Sequence, residues 1–149
     1  MFTVSIKGIF CTPAGEVVLL MNERDEWELP GGRIEIGESP RECVEREILE
    51  ELDVAVAAGE LLDSYLFEVI PGKHVFIETY ACALTSQFAP RISEEHKRIG
   101  LFAPEALPDN LPHGYRASIF TWRTSHARRA EERGSASSAA RERLKGGLA

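Results

Sequence analysis

The chain has no apolar run approaching the roughly 18 residues that a helical membrane span requires, and this excludes a helical membrane protein. Cysteine is scarce: Cys11, Cys43 and Cys82 are widely spaced, odd in number and without a CxxC pair. Neither a disulfide framework nor a thiolate zinc site is therefore expected, and reduced thiols in a cytoplasmic setting are the simpler expectation. The opening MFTVSIKGIF also lacks a basic leader followed by an apolar stretch and a small-residue cleavage site. Positive charge is in deficit, with 17 Lys and Arg against 24 Asp and Glu for a net charge of −7. A protein held to nucleic acid through its phosphates is ordinarily basic, so nucleic acid is not expected as a partner, and without a spanning run neither is a membrane. A small polyanion stays within reach, provided cations sit between it and the protein.

The chain's 149 residues, 44% hydrophobic and 28% charged, suit one globular domain with a short tail. Residues 2–11 are β-branched and aromatic, a turn follows at 12–15, and residues 16–21 form a second apolar run; together they predict a hairpin. Pro30, Gly31 and Gly32 read as a breaker and a loop. Residues 54–69 and 73–84 predict a second, longer hairpin around Pro71 and Gly72, with one more strand at 96–103 and a short helix near 104–107. Another helix begins near Tyr115. Residues 134–149 turn to Ala, Arg, Glu, Ser and Gly, which predicts a helical or flexible tail beyond a domain spanning 1–133. The fold class expected is α+β, with a mixed β-sheet between helices.

The most informative text is PGGRIEIGESPRECVEREILEELDV, residues 30–54. Ser39, Pro40 and Glu42 form a capping box with proline at the first helical position, so a helix should run from there through Leu52 and stop at Asp53. At about 100° per residue, Glu47, Glu50 and Glu51 share roughly 100° of its surface, beside an apolar stripe of Val44, Ile48 and Leu52. Like charges one turn apart repel, and a bound cation would offset that cost. A carboxylate cluster without His or Cys suits a hard ion, Mg2+ or Mn2+. Gly31 and Gly32 allow a close approach of another group, and Glu38 and Arg46 stand where they could reach the same acids. The bland alternative is a solvated acidic face after an ordinary turn.

The joint spacing decides between them. Gly32, five residues, Glu38, seven residues, then Arg46, Glu47, Ile48, Glu50, Glu51 and Val54 resembles the Nudix box, G-x5-E-x7-R-E-U-x-E-E-x-G-U, where U is a bulky aliphatic. The departure is Asp53, where the pattern has glycine. The resemblance implies a Nudix-like α/β/α sandwich and a metal-dependent hydrolase. Its small-molecule substrate would be a nucleoside diphosphate linked to another moiety: a nucleoside triphosphate, a nucleotide sugar or a dinucleotide. It further implies Glu47, Glu50 and Glu51 as metal ligands supported by Glu38, Arg46 orienting Glu47, and Gly32 shaping the loop. Beside the resemblance, Gly31 and Gly32 with Arg33 are the expected substrate-binding residues; Arg33, Arg91 and Arg116 could each meet a phosphate or be a surface charge. The general base is either Glu47 or a loop glutamate, for which Glu95 or its neighbour Glu94 stands in a suitable place. His96 reads as a hydrogen-bonding or surface residue. Trp27, Phe67, Phe76 and Tyr115 could stack on a base, although strand aromatics are more often core. A homodimer is compatible with the resemblance. Two other readings compete: a Nudix-like nucleotide-binding module without turnover, and an acidic amphipathic helix that docks a partner.

Overall fold

The computed structural model describes residues 1–96 and 98–146. Nine elements follow one another along the chain: β1 Thr3–Ile9, β2 Val17–Met21, β3 Trp27–Glu28, β4 Gly31–Arg33, α1 Pro40–Leu52, β5 Val56–Ile70, β6 Lys73–Leu84, β7 Arg98–Phe102 and α2 His113–Gly146. Lys97, in the strand expected at 96–103, and residues 147–149 of the expected tail lie outside the described residues.

The strands form two sheets. The larger has the order β4-β1-β6-β5, and the smaller β3-β2-β7. β1 and β6 run parallel while β1–β4 and β5–β6 run antiparallel, so the larger sheet is mixed. β5 and β6 are the long hairpin that the sequence predicts, turning at Pro71 and Gly72.

Two apolar layers hold these pieces together. Cys43, Val44, Ile48 and Leu52 of α1 pack with Ile6, Phe10, Val18 and Leu20. Tyr115, Ile119 and Trp122 of α2 pack with Ile9, Val17, Leu19 and Ile77. Period-two alternation along β1 and β2 sends neighbouring residues into opposite layers, and this makes the structure a helix–sheet–helix sandwich. Each fully buried Ile or Leu removes enough apolar surface from water to contribute about 1.5–3 kcal/mol. The expected α+β class and the stripe of Val44, Ile48 and Leu52 are both present.

α1 begins and ends as its sequence dictates. The Ser39 hydroxyl accepts from the Glu42 amide at 3.2 Å, and the Glu42 carboxylate accepts from the Ser39 amide at 3.1 Å. Asp53 caps the other end in the left-handed region, φ 56° and ψ 37°, donating its amide to the Leu49 carbonyl. α2 is one continuous helix, and beyond Ser125 all of its described side chains are exposed. Among the described residues no helix is long and apolar enough to cross a membrane.

Three local expectations are corrected. β1 and β2 are joined only by a Cys11–Val17 bridge before separating into different sheets, because β1 finds its partners in β4 and β6. Gly31 and Gly32 are strand rather than loop: they pair with Lys7 and Ile6, and that tertiary pairing outweighs weak local propensity. The helix expected near 104–107 is instead a turn at 103–106 closed by the Ala106 amide on the Ala103 carbonyl, with Pro108 too near for a helix to continue.

Candidate active site

α1, β4 and the loop that enters β7 meet at one acidic centre. The buried stripe of α1 fixes the helix so that Glu51 is almost fully enclosed, Glu47 is half-buried and Glu50 is exposed. β4 runs past the same face. The Gly31 amide donates to Glu51 Oε1 at 2.7 Å. A Cβ on Gly32 would lie 2.5 Å from the Glu47 carboxyl carbon, so only glycine leaves that carboxylate where it is.

Arg46 organises the acids. Its Nη2 and Nε donate to the two oxygens of Glu38 at 2.7 and 3.0 Å, and its Nη1 donates to Glu47 Oε1 at 3.0 Å and Glu50 Oε2 at 3.2 Å. Arg46 therefore engages one oxygen each of Glu47 and Glu50 and leaves the other oxygen of each outside the ion pair. Glu38 belongs to this cluster through Arg46 rather than by lining a cleft. Arg33 is exposed, and its carbonyl also accepts from Arg46.

Two clefts adjoin at these residues. The larger, about 480 Å³, is bordered by Arg24, Glu28, Arg33, Glu47, Glu51 and Glu95. The other, about 380 Å³, lies between Glu47, Glu50 and Glu51 of α1 and Ser93, Glu94 and Glu95 of the loop. Glu95 borders both clefts and Glu94 the smaller one.

Two neighbours, Glu28 and Lys7, were not legible as site residues in the sequence. Glu28 of β3 accepts from His96 Nε2 at 2.8 Å and from Asn22 Nδ2 at 3.2 Å. Lys7 is buried, with its ammonium 5.8 Å from the centroid of the Tyr115 ring. A lone lysine inside the apolar β1 run was the one available signal for this group. Two of the aromatics suggested for base stacking are packed in the core: Trp27 edge-on against Phe102, and Tyr115 of α2 beside Phe67.

Burial and charged or hydrogen-bonding partners compete to set the charge states. Burial pushes the Glu51 carboxyl up to about 7, even though Lys7, the Gly31 amide and His96 pull the other way. Glu47 is also raised, chiefly by burial. Burial opposes ionisation of Glu28 too, but there the His96 hydrogen bond, Lys7 and Asn22 prevail and hold it down to about 2. Burial likewise works against the charge on Lys7, but Tyr115, Glu28, Glu51 and Glu47 outweigh it and its pKa rises.

Burial thus makes Glu51 and Glu47 hold a proton more tightly than solvated acids do. The donors are hard oxygens. Cys43, the nearby thiol, is buried and points to the Gly32 carbonyl. Among the described residues no three His, Cys, Asp or Glu side chains are drawn in tightly enough to enclose an ion. The acids gather around Arg46 instead, with cleft space between them. The carboxylate oxygens are the donor type that a hard divalent ion takes.

The family model for the NUDIX domain matches residues 1–122. A MutT-like protein of Streptomyces ambofaciens is 34% identical over 64 residues, 42% of this chain and 42% of that protein. An 8-oxo-dGTP diphosphatase of Proteus vulgaris is 33% identical over 54 residues, 36% of this chain and 47% of that protein. The matched segments span less than half the length of these curated relatives. A solved MutT NUDIX hydrolase from Burkholderia pseudomallei shares 27% identity and superposes with a TM-score of 0.67, covering 81% of this chain and 98% of that one.

Proposed function

The chain belongs to the NUDIX domain family, and on that premise we propose that it hydrolyses a phosphoanhydride bond in a nucleoside diphosphate linked to another moiety, with Mg2+ or Mn2+ as cofactor. The observation that carries this reading is the gathering of Glu47, Glu50 and Glu51 on one face of α1, across a cleft from Glu94 and Glu95.

Glu47, Glu50 and Glu51 would hold the metal. When bound, it neutralises phosphate charge and lowers the pKa of a coordinated water. The chain's own groups do the rest. Arg46 fixes Glu47, and Glu38 fixes Arg46. The closeness of Gly32 to Glu47 keeps that carboxylate from being displaced. Glu95, beside both clefts, is assigned as the general base that accepts a proton from the attacking water. Arg24 and Arg33 border the larger cleft and can meet phosphate oxygens there.

Among substrate forms we favour a nucleoside triphosphate, supported by the similarity to the Proteus vulgaris 8-oxo-dGTP diphosphatase. A panel of nucleoside triphosphates, nucleotide sugars and dinucleotides, assayed with and without Mg2+ and with product identification, tests the proposal. Metal-dependent release of pyrophosphate from a triphosphate, abolished by Glu51→Gln, is expected. Tight nucleotide binding without turnover under either metal would instead favour the binding-module reading.

A further inference from the structure

The loop at residues 91–96 is tied down at both ends. Upstream, the Arg91 amide donates to the Leu52 carbonyl at 2.8 Å and the Ser93 amide to the Glu51 carbonyl at 2.9 Å. These bonds satisfy two carbonyls that the end of α1 would otherwise leave without partners. Downstream, the His96 amide donates to the Ser93 carbonyl at 3.3 Å, and the His96 side chain is only 7% exposed. Its Nε2 lies 2.8 Å from Glu28 Oε1 and 3.4 Å from Glu51 Oε2. The Glu28 carboxylate, whose hydrogen-bonding and charged partners keep it ionised, only accepts, so Nε2 carries the proton and donates to it. Glu28 is held in turn by Asn22. Between the two tethers stand Glu94 and Glu95, both exposed. A pair of long exposed acids has no packing of its own to place it beside three further carboxylates, and like charges push it away.

We propose that His96 is a positioning residue, a pin from the loop into Glu28 that holds Glu95 across the cleft from Glu47 and Glu51. The pin joins three elements distant in sequence: β3 through Glu28, α1 through Glu51, and the segment leading into β7. His96 also borders the larger cleft and lies 3.4 Å from Glu51 Oε2, so the exchange rates of the loop, rather than turnover alone, report the pin. The catalytic half of the assignment rests on the hydrolase reading; the mechanical half does not.

Both halves have a direct test in three variants. Glutamine can place its amide nitrogen where Nε2 stands, whereas asparagine reaches only the Nδ1 position. In metal-free protein, His96→Ala and His96→Asn should speed amide exchange at Ser93 and His96 about tenfold or more while the α1 amides keep the parent rates. His96→Gln should restore protection. With substrate and Mg2+, the first two variants should lose about 10- to 100-fold in kcat with KM nearly unchanged, and His96→Gln should recover most of that loss. A Glu28→Ala change should mimic His96→Ala, and combining the two should add little further loss. Equal exchange rates in all variants, or a Gln variant as impaired as Ala, overturns the pin. A parent protein that turns over no nucleotide overturns the hydrolase reading, and the exchange rates then still decide the pin.

Discussion

Arg46 grips Glu38 at two points, Nη2 on Oε1 at 2.7 Å and Nε on Oε2 at 3.0 Å, while its remaining nitrogen reaches Glu47 and Glu50. Only a planar fork of donors can span all three acids. Arg46→Lys keeps the charge and loses the fork, so Glu47 should lose its fixed orientation. The expected outcome is a fall of about 10- to 100-fold in kcat/KM with a stability loss below about 1 kcal/mol, since the cluster is partly solvent-screened. Steady-state kinetics and urea denaturation of the same preparation check both halves.

The neighbouring glycines should fail differently. On Gly32, a Cβ would meet the tip of the Glu47 side chain at 2.5 Å, and a flexible tip can swing away. Gly32→Ala should therefore fold normally and lose activity about 100-fold, as Glu47, the proposed metal ligand, is displaced by an ångström or so. On Gly31, the same atom would lie 2.0 Å from the Ile6 carbonyl oxygen at φ +139°, a backbone clash that cannot relax locally. Gly31→Ala should cost about 2–4 kcal/mol of stability. Circular dichroism melts separate the two.

The stability of the metal-free protein should respond to pH in two windows of opposite sign. Glu51 binds its proton more tightly folded than unfolded, so its contribution is full below 4.5 and is lost as pH rises through about 7. Glu28, held near 2, contributes above 4.5 and loses that contribution as pH falls toward 2. The Glu51 window is worth at most about 3 kcal/mol. Unfolding midpoints at pH 5 and pH 8 should show the decline, Glu51→Gln should flatten it, and Mg2+ should raise stability at pH 8 in the parent alone.

Asp53 occupies the left-handed conformation at the end of α1 with φ 56°. Glycine adopts it without the steric cost that a Cβ brings. Asp53→Gly should stabilise the protein by about 0.5–1 kcal/mol and leave turnover unchanged, read from urea midpoints and initial rates.

The parts of this fold that were legible in the sequence are those written in local chemistry. Ser39, Pro40 and Glu42 announce the start of α1, Asp53 marks its end, and the 3.6-residue period puts Val44, Ile48 and Leu52 inward with Glu47, Glu50 and Glu51 beside them. The rest depends on contacts between distant segments. Gly31 and Gly32 are poor strand formers that become a strand because β1 offers them a partner. Lys7, Glu28 and His96 come from three separate segments, and neither spacing nor composition relates Glu28 to His96, although their side chains stand 2.8 Å apart. The β1–β2 hairpin failed for the same reason: its turn is local, but the strands' better partners lie elsewhere.

The most direct measurement is a Mn2+ titration of the purified protein, followed by the electron paramagnetic resonance signal of free Mn2+, in the parent and in a Glu50→Gln/Glu51→Gln variant. The account predicts saturable binding in the parent, displaced by Mg2+, and its loss in the variant while the circular dichroism spectrum is unchanged. Equal Mn2+ binding by parent and variant, or none by the parent at millimolar metal, would contradict it.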